Sequence, residues 1–163
     1  MSRPAAALGL SVLLLACTQQ PLATSGELAP AFELERLRGG HVALADLRGK
    51  TVLLDFWATW CPPCVIEIPE LNALYETERP AGLEILAISI DEGEPEELAR
   101  WAEEHGIRYP VLLGSTDLAR EYGAYQFPFH VLISPDGHVL ERLTPGFHDR
   151  EELRELLERH RKG

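Results

Sequence analysis

Residues 51–64 read TVLLDFWATWCPPC, and this stretch decides the fold. Its first seven residues are an almost unbroken apolar, β-branched and aromatic run, the composition of a strand covered on both faces. The next seven end in Cys61-Pro62-Pro63-Cys64. From Cys64 onward the apolar spacing becomes helical: Ile68, Leu71, Leu74 and Tyr75 share one face of residues 64–77. The two cysteines therefore stand at a strand-to-helix junction. Pro69 lies inside the helical run and is expected to kink it, because it lacks the N–H and crowds the preceding turn.

Upstream, Leu47-Arg48-Gly49-Lys50 reads as a turn, and Gly39-Gly40 is flanked by Phe32, Leu34, Leu37, Val42 and Leu44 in hairpin spacing. Downstream, residues 83–90 (LEILAISI) form a second buried strand. Residues 95–105 form a helix with Leu98, Trp101 and Ala102 inward, opened by acids and closed by Gly106. A short strand at 111–113 and a short helix at 117–122 follow. Residues 129–134 and 138–143 flank Pro135-Asp136-Gly137, a turn that makes them an antiparallel hairpin. Asp149 caps a last helix to about residue 160, with Leu153, Leu156 and Leu157 inward. No internal repeat is present. Hairpin, then β-α-β-α, then β-β-α describes an α/β sandwich around a mixed sheet.

The chain has 163 residues, 45% of them apolar, which suits one domain with short appendages. Acidic residues number 26 against 15 basic, a net charge of −11. With that balance and no basic stripe, nucleic acid is not an expected partner. Arg3 precedes an apolar run over residues 5–16, of signal-peptide length and too short to span a bilayer. The run ends Leu14-Leu15-Ala16-Cys17, which resembles a bacterial lipobox, whose cysteine is acylated and becomes the new N-terminus. An ordinary signal peptide or a short anchor are the other readings. Lipid on Cys17 would hold the protein at a membrane face, and it would explain an odd count of three cysteines in an exported chain. Residues 1–16 are thus read as a lipoprotein signal peptide, 17–30 as a flexible tether, and 31–163 as the globular domain.

Disulfide exchange needs a thiolate nucleophile, a resolving thiol beside it, and a means of stabilising negative sulfur. A helix start supplies unpaired N–H groups and the favourable end of the dipole, so Cys61 is expected to have a lowered pKa. Cys64, one turn in, can reach back and close a small disulfide. Pro62 and Pro63 remove two donors and leave the Cys64 N–H and the dipole to stabilise the thiolate. Half a zinc site and a purely structural bridge are the competing readings. Zinc asks for four ligands, and there is no second cysteine pair. Soft thiolates also suit copper(I), so Cys61, Cys64 and His130 make a candidate copper-binding set, although no methionine-rich or extra His/Cys cluster accompanies them.

FWATWCPPC, with Pro69 five residues past the second cysteine, resembles the thioredoxin superfamily. The 47–50 turn and the lipobox make the chain similar to its TlpA/ResA-like, membrane-anchored branch, from about Ala31 to the C-terminus. The resemblance implies a three-layer thioredoxin-like sandwich with an N-terminal β-hairpin and an inserted βα element at about residues 83–106. It implies a thiol–disulfide oxidoreductase that reduces disulfides in exported proteins, for example in cytochrome c maturation, fed by a membrane thiol donor. A disulfide oxidase or isomerase of the same fold is the alternative. No cofactor is implied, and the chain is expected to act as a monomer facing the periplasm or extracytoplasmic space.

Carried over by position, Cys61 is the solvent-facing nucleophile and Cys64 the buried resolving thiol. Asp55 matches the buried carboxylate of thioredoxins, a candidate proton relay to Cys64; the other reading is strand-end polarity. Glu67 matches an active-site glutamate of the branch, or is an exposed acid near the helix start. Pro128 matches the superfamily's cis-proline, which leaves backbone groups free for a bound peptide. The chain departs from the pattern around it: Phe127 precedes the proline, and Phe129 and His130 stand where small threonine-type residues are common. Trp60, Pro62, Phe127 and Phe129 are therefore expected to shape the substrate groove. His130 reads as a satisfied core residue more readily than as a ligand.

Overall fold

The computed structural model describes residues 26–161 of the chain. Two short strands come first, β1 (Glu33–Glu35) and β2 (His41–Ala43), paired antiparallel. Their turn contains Gly39 and Gly40 at φ of 84° and 82°, left-handed values that a β-carbon would strain. After a 3-10 turn (Leu44–Leu47) come β3 (Thr51–Trp57), α1 (Pro62–Glu78), β4 (Leu83–Ser89) and α2 (Pro95–Glu104). The chain ends with β5 (Val111–Leu113), α3 (Thr116–Glu121), β6 (Phe129–Ile133), β7 (Val139–Arg142) and α4 (Arg150–Arg161).

The later strands form one sheet in the order β5-β4-β3-β6-β7. The central strand, β3, is parallel to β4 and antiparallel to β6. Both crossovers, β3–α1–β4 and β4–α2–β5, step the same way along the sheet, so their right-handedness puts α1 and α2 on one face. Successive side chains of β3 alternate between faces. Trp57 accordingly meets Trp101 of α2 with ring centroids 5.2 Å apart, while Phe56 meets Tyr122, just beyond α3, at 5.4 Å. Helices thus cover both sides of a mixed sheet, the expected sandwich. Leu53, Leu54, Phe56, Ile85, Leu86 and Ile88 are at most 1% exposed. Each contributes about 1.5–3 kcal/mol by burial and keeps the strand ends that carry the site in place.

The strand β4, inside the stretch read as an inserted element, lies next to the central strand and is buried throughout. The capping expected of Asp149 is present and reciprocal: its Oδ1 accepts from the Glu152 N–H at 2.9 Å, and Glu152 Oε2 accepts from the Asp149 N–H at 3.3 Å. The helix expected over 64–77 begins two residues earlier and continues through Pro69 to Glu78. Residues 27–30, read from composition as part of the tether, are joined to the domain. The Ala29 N–H donates to the Gly137 carbonyl (3.0 Å), the Val139 N–H donates to the Glu27 carbonyl (2.9 Å), and Glu27 pairs with Arg142. Small polar composition does not reveal backbone bonds to a turn more than a hundred residues away. The leader and Cys17 lie outside the described residues, and no described helix is long and apolar enough to cross a membrane.

Candidate active site

From Trp57 the chain turns through Ala58, Thr59 and Trp60, and Cys61 is the N-cap residue of α1, with extended backbone (φ −102°, ψ 97°). Pro62 and Pro63 take the first helical positions, where φ is preset and a missing N–H loses no bond. The Val65 N–H already donates to the Cys61 carbonyl at 3.3 Å. Cys61 therefore stands at the positive end of the α1 dipole with few other donors near it. It is disulfide-bonded to Cys64, their Cα atoms 5.4 Å apart. Both residues are 4% exposed. The expectation of a solvent-facing Cys61 is thus not met in the disulfide form, where it is as buried as Cys64.

The Phe127–Pro128 peptide bond is cis, as expected. The antiparallel register pairs Phe56 with Phe129, which brings Pro128 to the sheet end where β3 turns towards Cys61. Trp60, 64% exposed, meets Phe127 edge-on with ring centroids 6.2 Å apart. Pro62 is exposed and Phe127 half-buried, so these three form an apolar rim at the site. Phe129 does not belong to that rim. It is buried inside β6, opposite Phe56, and packs the core instead of lining a groove.

The turn that carries Cys61 is pinned by a residue the sequence reading did not single out. Asp91, just past β4, accepts the Thr59 N–H through Oδ2 (3.0 Å) and Oδ1 (3.2 Å), the Thr59 hydroxyl at 2.6 Å and the Ser89 hydroxyl at 2.7 Å. The parallel pairing of Trp57 with Ser89 is what brings these loops together. No local motif announces it.

One turn along α1 from Cys64, the fold gathers three ionisable side chains around Glu67. Asp55 is 4% exposed, Glu67 and His130 not at all. Asp55 and His130 are cross-strand partners on β3 and β6, and Glu67 comes from α1. His130 Nε2 lies 3.2 Å from Glu67 Oε2 and 3.5 Å from Asp55 Oδ1. Neither approach has hydrogen-bond geometry, and both ring nitrogens lack such a partner among the described residues. Burial, then the charge of Glu67, raise the Asp55 pKa to about 7 against the opposing charge of His130. Burial lowers the His130 pKa, but the approach and charge of Glu67 and the charge of Asp55 prevail and raise it. The remaining Glu67 oxygen, Oε1, accepts the His148 N–H at 2.7 Å. So Asp55 is buried as expected, Glu67 is no exposed acid, and His130 is not satisfied in the way an ordinary core histidine is.

One donor atom from each of these residues lies within 4.8 Å of the others, close enough for a cation. Two features speak against one. Glu67 and His130 have no exposed surface and Asp55 has only 4%, which leaves little of an entry path, and His130 Nδ1 lacks the outer hydrogen bond that orients a ligating histidine. Among the described residues the cysteines are not part of this group, and their sulfurs are bonded to each other.

Residues 25–142 match the model of the AhpC/TSA family. The chain belongs to that family. Among similar proteins, the thiol-disulfide oxidoreductase ResA of Geobacillus thermodenitrificans is 36% identical over 155 residues, 94% of this chain and 87% of the relative. The thioredoxin domain of a thiol-disulfide oxidoreductase from Bacteroides vulgatus superposes with a TM-score of 0.73 at 29% identity, covering 84% of this chain and 97% of its own. The exposed lipoprotein thioredoxin of Streptococcus pneumoniae superposes with a TM-score of 0.71 at 25% identity, covering 80% and 99%. Within the AhpC/TSA family, then, this chain is a thiol–disulfide oxidoreductase of thioredoxin fold, and Cys61–Cys64 is its redox pair.

Proposed function

We propose that the protein reduces disulfides of exported proteins in the extracytoplasmic space of a bacterium, held at the membrane by lipid on Cys17 and working as a monomer. The observation that carries this reading is the Cys61–Cys64 pair at the N-cap of α1, placed at the sheet end of cis-Pro128, on a helix that also carries the buried carboxylate of Glu67. Cys61 thiolate attacks a substrate disulfide, forms a mixed disulfide and expels one substrate thiolate, which takes up a proton. Cys64 gives its proton to Asp55, attacks the Cys61 sulfur and expels the second substrate thiolate, which is protonated in turn. Two electrons leave the cysteine pair. A membrane thiol donor returns them, with two protons from water. The exchange runs between sulfurs and needs no cofactor.

Trp60, Pro62 and Phe127 offer the apolar rim against which an extended peptide lies beside cis-Pro128, whose own carbonyl is taken by the Gly146 N–H at 3.0 Å. Glu67 shares the buried cluster, and its charge adds to burial in raising the Asp55 pKa. An apocytochrome c, whose haem-binding thiols must be reduced, is a substrate of this kind. The likeness to a lipoprotein thioredoxin supports the Cys17 anchor. Trapping tests the reading: Cys64→Ser should accumulate mixed disulfides on Cys61, and Cys61→Ser should accumulate none. Equal trapping by both would overturn the assignment of the nucleophile.

A further inference from the structure

The Asp55–Glu67–His130 cluster has a feature that a lone buried base does not need. An ionised carboxylate in the core is costly unless paired, and two side by side are worse. Here a single histidine nitrogen approaches both, at 3.2 and 3.5 Å, without hydrogen-bond alignment to either. That is the placement of a shared counter-charge. With His130 protonated and one carboxylate protonated, the group is neutral overall and still contains one ionised carboxylate.

We propose that His130 is a positioning residue of the reaction: its imidazolium, wedged between Asp55 and Glu67, keeps one buried carboxylate ionised to take the proton of the Cys64 thiol. This rests on the reading of Cys61–Cys64 as a reducing pair served by a buried base. The proton balance is simple. The Cys64 S–H bond breaks, its proton goes to a carboxylate oxygen, and the thiolate forms the new S–S bond with Cys61. The expelled substrate thiolate draws a proton from water, and the carboxylate later releases its own. His130 keeps its protons throughout.

Every element around the cluster contributes to this balance. Asp55 faces His130 from β3, and Glu67 from α1, the helix that also carries Cys64. His148, ahead of α4, meets the His130 ring edge-on at 5.6 Å, and its N–H neutralises part of Glu67. The buried Tyr109 phenol, ahead of β5, has its pKa raised by burial and then by the charges of Asp55 and Glu67, so it stays a neutral neighbour.

The test has two readouts. In the oxidised protein, nitrogen NMR of the histidines from pH 5 to 9 should show His130 doubly protonated at pH 7, titrating above the ordinary histidine range. A neutral ring at pH 7 overturns the inference, including the neutral ring of a metal-bound histidine that a chelator converts to a free one. In His130→Gln, attack of Cys64 on a mixed disulfide between Cys61 and a small thiol should slow about tenfold at pH 7, with the pH midpoint of that step moving up by about one unit. The sign follows from removing a cation beside a carboxylate, which makes the carboxylate harder to ionise. An unmoved midpoint overturns the inference, and if the variant fails to fold, the spectrum of the unaltered protein decides. Failure of the unaltered protein to reduce a protein disulfide would strike the reductase reading. A neutral His130 in an active protein would strike this inference alone.

Discussion

Replacing Asp55 by Asn should slow the reaction and stabilise the fold, and the two effects have different pH dependence. The rate effect follows from loss of the base for Cys64, roughly 10–100-fold in the resolving step. The stability effect follows from linkage. The Asp55 pKa is about 7 in the folded protein against an ordinary value of 3.8. The folded state therefore binds the proton more tightly, and stability falls as pH rises from about 4 to about 7. The distance from 3.8 to about 7 sets a ceiling of about 4 kcal/mol on the cost of ionising Asp55 inside the fold. Water and rearrangement of His130 reduce that, so Asp55→Asn should gain about 1–3 kcal/mol at pH 8 and almost nothing at pH 4. Denaturant unfolding at the two pH values, with turnover measured in parallel from pH 6 to 9, gives both quantities. Unchanged turnover would reduce Asp55 to a structural residue. Equal destabilisation at pH 4 and pH 8 would show that it holds β3 through a hydrogen bond, and the electrostatic argument would fail.

Asp91→Ala removes the acceptor of the Thr59 N–H and the Thr59 and Ser89 hydroxyls; it should destabilise by about 1–3 kcal/mol and lower kcat with little change in KM, with partial rescue by Asn, measured by denaturation and steady-state kinetics. Leu54→Ala, at a side chain with no exposed surface in the central strand, should cost about 2–5 kcal/mol without altering the redox midpoint of the cysteine pair. Cys17→Ser should move the mature protein from the detergent to the aqueous phase, and mass analysis of the unaltered N-terminus should find lipid; an unmodified Cys17 would remove the proposed anchor.

The elements that set up the site were legible because each has a local signature. Residues 51–57 read as a doubly covered strand from composition, the Gly39-Gly40 and Pro135-Asp136-Gly137 turns announce their hairpins, and Asp149 announces its cap. A carboxylate between Leu54 and Phe56 also signals its own burial. What stayed hidden depends on register between distant strands. His130 meets Asp55 because β6 runs antiparallel to β3 with those two residues paired, and a shift by one residue would turn the ring to the other face. Asp91 reaches Thr59 for the same kind of reason, through the parallel β3–β4 pair. Phe129 looked like part of the groove because it follows Pro128, yet in β6 it is committed to the core. The docking of residues 27–30 on the β6–β7 turn is likewise a long-range backbone event.

The central claim, that Cys61–Cys64 is the redox pair of a reductant, is tested most directly by one equilibrium titration. The mature protein would be poised against graded thiol–disulfide buffers, and the fraction of Cys61–Cys64 disulfide read by alkylation and mass. The account predicts a single two-electron transition with a midpoint in the region of about −270 mV, where thioredoxin lies. A midpoint near about −120 mV, the range of a strong disulfide oxidant, would contradict it.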